Sequence, residues 1–172
     1  MKSEALESRS SEAARQPSET VSVLTHRMSL QDANIAGNVH GGWIMKLCDD
    51  VAAIAATRLA GGRVVTAAVD EMKFLSPVHV GDVLTLRATV NAAWRTSMEV
   101  GVHVESENVS TGEFKHTCTA YLTMVSLGPD ERPVPLPTLR AVTPEDEHRQ
   151  NEAALRREVR LARPGELRRV ND

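Results

Sequence analysis

Asp49 is the side chain whose setting first suggests chemistry. Residues 42 to about 59 repeat apolar side chains at spacings of three and four, the period of a helix. On a wheel of about 100° per residue, Ile44, Leu47, Cys48, Val51, Ile54 and Ala55 form the stripe expected to face a core. Met45, Asp49, Ala52, Ala53 and Ala56 form a second stripe, small and apolar apart from Asp49. Lys46, Asp50 and Thr57 make a polar strip too narrow for an ordinary surface helix. The second stripe is therefore expected to meet a partner subunit. A carboxylate in such a partly dehydrated seam can have its pKa and reactivity tuned; on a solvated helix it is only a surface charge. Gly41-Gly42 stands at the helix start. Amides without side chains, at the positive end of a helix dipole, can hydrogen-bond a carbonyl or oxyanion. A tight turn that needs glycine is the plainer explanation of the same pair.

Other catalytic types find no support. The six histidines (His26, His40, His79, His103, His116, His148) show no ligand spacing, so no metal is expected. Two cysteines, Cys48 and Cys118, make neither a disulfide framework nor a zinc set, and both fall on apolar faces as packing residues. There is no G-x-S-x-G elbow. With 23 acidic and 20 basic residues the net charge is -3, which argues against a general nucleic-acid binder. No apolar run approaches the roughly 20 residues of a membrane helix, and the polar N-terminus has no signal-peptide core. The chain is expected to be cytoplasmic.

The elements that must position Asp49 are legible from period. Val21 to His26 is a short β-prone run, and residues 29–42 are rich in Asn, Asp and Gly, as a loop is. After Gly61 and Gly62 the period changes to two. Leu84, Leu86, Ala88 and Val90 share one face; so do Met98, Val100, Val102 and Val104, and then His116, Cys118, Ala120, Leu122 and Met124. The expected order is strand, long helix, then four strands in an antiparallel meander: a two-layer α+β domain with the sheet wrapped on the helix. Its uncovered sheet edge favours self-association. This domain is expected over 20–128. Residues 1–19 are too polar to bury much surface and are expected to be a flexible arm. Residues 129–172 read as a proline-containing linker, RPVPLPT, and a charged helix from Pro144 to about Ala162. Thr143 caps that helix, and Arg156, Arg157, Arg160 and Arg163 lie towards its end. Its thin apolar content predicts weak docking.

The stretch DANIAGNVHGGWIMKLCDD, residues 32–50, resembles the signature of the hotdog-fold acyl-CoA thioester hydrolases. RVVTAAVDEMKFLSPVHVGD (63–82) and TSMEV (96–100) add to the likeness. The resemblance implies a hotdog fold and hydrolysis of fatty acyl-CoA to free fatty acid and CoA. It implies Asp49 as base or nucleophile and Asn34, from the opposite subunit, orienting water or thioester. It also implies that amides near Gly41 and Gly42 polarise the thioester carbonyl, with His40 positioning the group or capping the loop. Coenzyme A is then part of the substrate, and no separate cofactor is expected. Its phosphates call for cations. Arg63, Lys73 and Arg95 are the candidates, with Arg58 behind them, and Arg95-Thr96-Ser97 resembles the family's basic-small-Ser run. A homo-oligomer is implied, a hexamer built as a trimer of dimers. The alternative is a non-catalytic acyl-CoA-binding or sensing module on the same fold. An enoyl-CoA hydratase is disfavoured, because no Asp/His pair is visible beyond His40.

Overall fold

The computed structural model describes residues 14–162. A single turn, α1 (Pro17–Thr20), precedes β1 (Ser22–Arg27), and a 3-10 turn at Leu30–Asp32 leads to α2 (Gly41–Ala60). Then come β2 (Arg63–Phe74), β3 (Val83–Ala93), β4 (Ser97–Asn108), β5 (Glu113–Leu127) and α3 (Pro144–Ala162). One antiparallel sheet holds all five strands in the order β1-β3-β4-β5-β2.

The expected four-strand meander is corrected to three. β3, β4 and β5 follow one another, but β2 lies at the far edge and pairs with β5, from Arg63 opposite Leu127 to Phe74 opposite Cys118. The helix explains the crossing. Twenty residues of α2 span about 30 Å, whereas five strands about 4.8 Å apart are roughly 19 Å wide. A helix laid across the sheet thus carries the chain from the β1 edge to the opposite one.

Period two puts Leu84, Leu86, Ala88, Val90, Met98, Val100, Val102, Val104, Cys118, Ala120, Leu122 and Met124 on the buried inner face. His116, expected on that face, is exposed. A register shift at Val104/Glu105, where the partners step from Cys118 to His116, breaks the alternation. Against this face α2 buries Ile44, Leu47, Cys48, Val51, Ala52, Ala55, Ala56 and Leu59. Two assignments of the wheel change. Ile54 points outward at 44% exposure, while Ala52 and Ala56 are fully buried. Small alanines let helix and sheet approach closely, and that preference displaces the larger Ile54. Gly61, at φ 68°, ends the helix in a left-handed cap whose N–H donates to the Thr57 carbonyl.

α3 lies on the other face of the sheet, and its docking is stronger than its composition predicts. Arg156 donates from Nε to Glu99 Oε2 (3.0 Å) and from Nη2 to Oε1 (2.8 Å). Asn91 Nδ2 donates to the same Oε1 at 3.0 Å. Glu99 is fully buried, so this bidentate pair replaces the water the carboxylate gives up. The Arg156 guanidinium also sits 3.7 Å over the Tyr121 ring, and Arg160 bonds Asp70. Arg163 lies outside the described residues, as do residues 1–13 of the expected arm. Residues 14–19 are not free. The Arg15 amide donates to Thr138 O, and the Arg140 amide to Arg15 O, both at 2.8 Å.

Candidate active site

The loop before α2 is fixed from within. Asp32 Oδ2 accepts from the Ser29 amide (2.6 Å) and hydroxyl (2.8 Å). Burial pushes the Asp32 carboxyl up, but the Ser29 amide and hydroxyl, with His26 nearby, bring it below its ordinary value. The His40 amide donates to the Asp32 carbonyl at 2.7 Å. Asn34, half-buried, spends its Oδ1 on the amides of Ala36 (2.9 Å) and Asn38 (3.2 Å). Its Nδ2 has no acceptor among the described residues. The loop therefore presents the Asn34 amide group at a set place.

His40 is the N-cap of α2: its Nδ1 accepts from the Gly42 N–H at 2.9 Å. A neutral ring then carries its proton on Nε2. The Gly42 amide is thus committed to the cap and is not free to polarise a carbonyl, which corrects that part of the glycine-pair expectation. Gly42 owes its identity to this cap, since a Cβ there would meet His40 Nδ1 at 3.0 Å. The Gly41 N–H has no backbone acceptor among the described residues. It remains the donor at the helix start. The Phe74 ring lies beside Gly41, 3.5 Å from where a Cβ would stand.

Asp49 is exposed on the single chain, at the mouth of a cavity of about 300 Å³. Met45, Cys48, Val69, Met72, Ala120 and Leu122 make the cavity apolar. Thr66 Oγ1 of β2 donates to Asp49 Oδ1 at 2.5 Å. This holds one carboxylate oxygen, and Oδ2 has no hydrogen-bond partner among the described residues. The sequence reading missed Thr66, because nothing in the period of β2 sets it apart from its neighbours. Asn34 and Gly41 line a different cavity, of about 350 Å³, with Phe74 and Pro77. Asn34 and Asp49 of one chain thus line different cavities.

The expected cations are scattered. Arg63 is paired with Glu131 (2.7 Å) and Lys73 with Glu71 (2.6 Å). They stand at opposite ends of β2, roughly 33 Å apart along a strand. The Lys73 ammonium is held above its usual range, chiefly by the Glu71 hydrogen bond. Arg95, Thr96 and Ser97 form the β3–β4 turn, where the Trp94 amide donates to Ser97 O at 2.8 Å. That turn is at the Arg63 end of the sheet, because Ser97 is paired with Val125 and Arg63 with Leu127. The structure thus groups Arg63 with 95–97 and separates Lys73. Arg58 bonds the Val21 carbonyl.

The Thioesterase superfamily profile matches residues 36–113. The Bacillus subtilis protein described as an uncharacterized acyl-CoA thioester hydrolase is 36% identical over 141 residues, covering 82% of each chain. The chain belongs to the thioesterase superfamily. Mouse acyl-coenzyme A thioesterase 11 is 41% identical over 132 residues, 76% of this chain, which corresponds to only 22% of the mouse protein. The Staphylococcus aureus acyl-CoA hydrolase superimposes with a TM-score of 0.82 at 32% identity, covering 88% of this chain and 92% of that one. This thioesterase-superfamily chain accordingly has the hotdog fold, a sheet wrapped on one long helix, as the sequence resemblance implied. The S. aureus hydrolase has also been crystallised with an Asn, an Asp and a Thr each replaced by Ala. Those three stand in the same order, at the same intervals along the chain, as Asn34, Asp49 and Thr66. Solved superfamily members similar to this chain include hexamers.

Proposed function

We propose that the protein is an acyl-CoA thioesterase, hydrolysing fatty acyl-CoA to free acid and CoA in a site completed by a second copy of the chain. The observation that carries the reading is Asp49. It is held by the Thr66 hydroxyl at 2.5 Å, beside an apolar cavity about two helical turns from the α2 N-terminus. A thioester is already activated, since sulfur donates little resonance and a thiolate leaves readily. Its hydrolysis asks for a placed oxygen nucleophile and a donor for the oxyanion. Asp49 Oδ2 supplies the first, by taking a proton from water or by attacking the carbonyl itself. The partner's Gly41 N–H, carried in with the Asn34 that lines the same cavity, supplies the second. As the tetrahedral centre collapses, the C–S bond breaks and CoA leaves as thiolate. The cavity wall of Met45, Val69, Met72 and Leu122 receives the start of the acyl chain.

The need for a second copy follows from exposure. Asp49, Met45 and Ile54 on α2 and Val69 and Phe74 on β2 are all exposed on one chain. They form a continuous face along an edge strand whose outer side has no partner among the described residues. A copy seated there would dry Asp49 and bring its own Asn34 to it. We place the assembly as a trimer of dimers, in line with the hexamers noted above, with CoA phosphates drawn to Arg63, Lys73 and Arg95 of different copies. No cofactor enters this mechanism. A cytoplasmic setting accords with two unpaired cysteines. Among the described residues no helix is long and apolar enough to cross a membrane.

The test is subunit mixing. Asp49→Ala and Asn34→Ala should each remove most thiol release from acyl-CoA while the oligomer persists. Mixed and reassembled in equal amounts, the two variants should regain about a quarter of wild-type activity. Half the dimers are then mixed, and each mixed dimer has one site with both residues intact. Confirmed mixing with no recovery would refute the shared site. Tight acyl-CoA binding without thiol release by the wild type would favour the sensing module.

A further inference from the structure

The apolar cavity beside Asp49 is open at one end and closed at the other. Its rim carries Met45 and Val69, 44% and 47% exposed, together with Asp49 itself. Its inner lining is Cys48, Ala120 and Leu122, none more than 2% exposed. Past Ala120 the cavity has nowhere to continue within the chain. Ala120 is paired across the sheet with Val102, and Val102 with Ala88, and both neighbours are buried in the core. Residue size leaves the space open. Of the four residues that β5 turns inward here, Cys118, Ala120, Leu122 and Met124, Ala120 is the smallest.

We propose that this cavity is a blind acyl pocket, that Ala120 sets its depth, and that the substrates are acyl groups of short to medium length. The substrate class rests on the thioesterase reading given above; the blind pocket does not. A dry apolar cavity of roughly 150 Å³ takes one benzene, six carbons. One of about 300 Å³ thus has room for on the order of ten carbons. With the thioester carbonyl at the rim, beside Asp49, the chain runs inward past Met72 and Leu122 and ends against Ala120.

Selectivity follows from where burial stops. Up to that length each added methylene leaves water for an apolar wall and raises kcat/KM roughly fourfold. Once the chain reaches Ala120 the gain ends, because a further carbon meets a close-packed core that gives way only at a cost. A longer chain must turn back towards the rim or leave apolar surface in water. A larger side chain at position 120 occupies room that acyl carbons would otherwise fill, and so brings the stop nearer the rim. Because it fills existing space, it does so without the strain of an overpacked core.

The test is thiol release by the assembled protein across acyl-CoA esters from acetyl to palmitoyl. For the wild type, kcat/KM should climb with chain length to about ten carbons and then level or fall. Ala120→Leu, whose side chain is three carbons larger, should bring that break forward by about three carbons and lower the decanoyl-to-butyryl ratio of kcat/KM at least tenfold. Ala120→Val, a β-branched residue suited to a strand, is two carbons larger and should shift the break by about two. An unmoved ratio overturns the role of Ala120. So does an equal loss on butyryl and decanoyl esters, the mark of strain alone. A kcat/KM that keeps climbing to palmitoyl in both variants places the chain along the seam between copies and overturns the blind pocket. If the wild type hydrolyses no acyl-CoA, the thioesterase reading fails, and alkyl-CoA thioethers, which lack the scissile carbonyl, still decide the pocket. Their affinity by calorimetry should break at the same length and shift in Ala120→Leu; an affinity indifferent to that change overturns the proposal.

Discussion

Replacing Thr66 by Val keeps the β-branched shape on β2 and removes only the hydroxyl, so it isolates the bond to Asp49 Oδ1. The magnitude depends on whether the site is open. A hydrogen bond to a charged group shielded from water is worth about 1.5–3 kcal/mol. At 1.36 kcal/mol per tenfold that is roughly 10- to 150-fold in rate, if the bond keeps the carboxylate in its reacting pose. Between exposed partners, as Thr66 and Asp49 are on one chain, water substitutes for the lost donor and the effect shrinks to a few-fold. A face covered by a second copy therefore predicts the larger figure. Steady-state thiol release across a range of acyl-CoA concentrations reads it out. The loss should be in kcat, with KM within a few-fold, because Thr66 orients Asp49 and does not hold the acyl chain. Thr66→Ser, which restores a hydroxyl at the same Cβ, should recover most of the rate. An unchanged kcat in Thr66→Val would refute the idea that this bond positions the base, and a loss that Ser fails to rescue would mark Thr66 as merely a packing residue.

Arg156→Ala should lower stability to urea by about 3–5 kcal/mol, because it leaves the fully buried Glu99 carboxylate without its counter-ion; Arg156→Ala combined with Glu99→Ala should cost less than the single change. Gly42→Ala should loosen the start of α2 by about 0.5–2 kcal/mol, since its Cβ would displace the His40 cap; thermal unfolding measures it, and an unshifted midpoint would deny the cap its role. Asp146 links α3 to pH: burial pushes its carboxyl up, but the Thr143 hydroxyl, the Val142 and Thr143 amides and Arg149 hold it below its ordinary 3.8. The stability it gives is present above that value and lost as pH falls through the lower, folded one. Protection of the α3 amides relative to their intrinsic exchange rates should therefore fall on going from pH 5 towards pH 3, and Asp146→Asn should flatten that dependence.

The sequence alone determined the elements and the family. The helix period from Gly42 and the alternations of β3, β4 and β5 are local, one-dimensional signals, since each strand or helix turns its apolar side to a core wherever that core is. The dense signature around Asn34, His40 and Asp49 sufficed to recognise the hotdog thioesterases. Tertiary structure decided what depends on neighbours remote in the chain. Only the length of α2 against the width of the sheet sends β2 to the far edge. Only there can Thr66 reach Asp49. The burial of Ala52 and Ala56 in place of Ile54 reflects how closely helix and sheet approach, which no wheel contains. The commitment of the Gly42 amide to His40 is a matter of cap geometry. The firm seat of α3 rests on one carboxylate, Glu99, hidden on an otherwise alternating strand, whose desolvation the distant Arg156 offsets together with Asn91. Pattern reports which way a residue faces; it carries no information about which residue it will face.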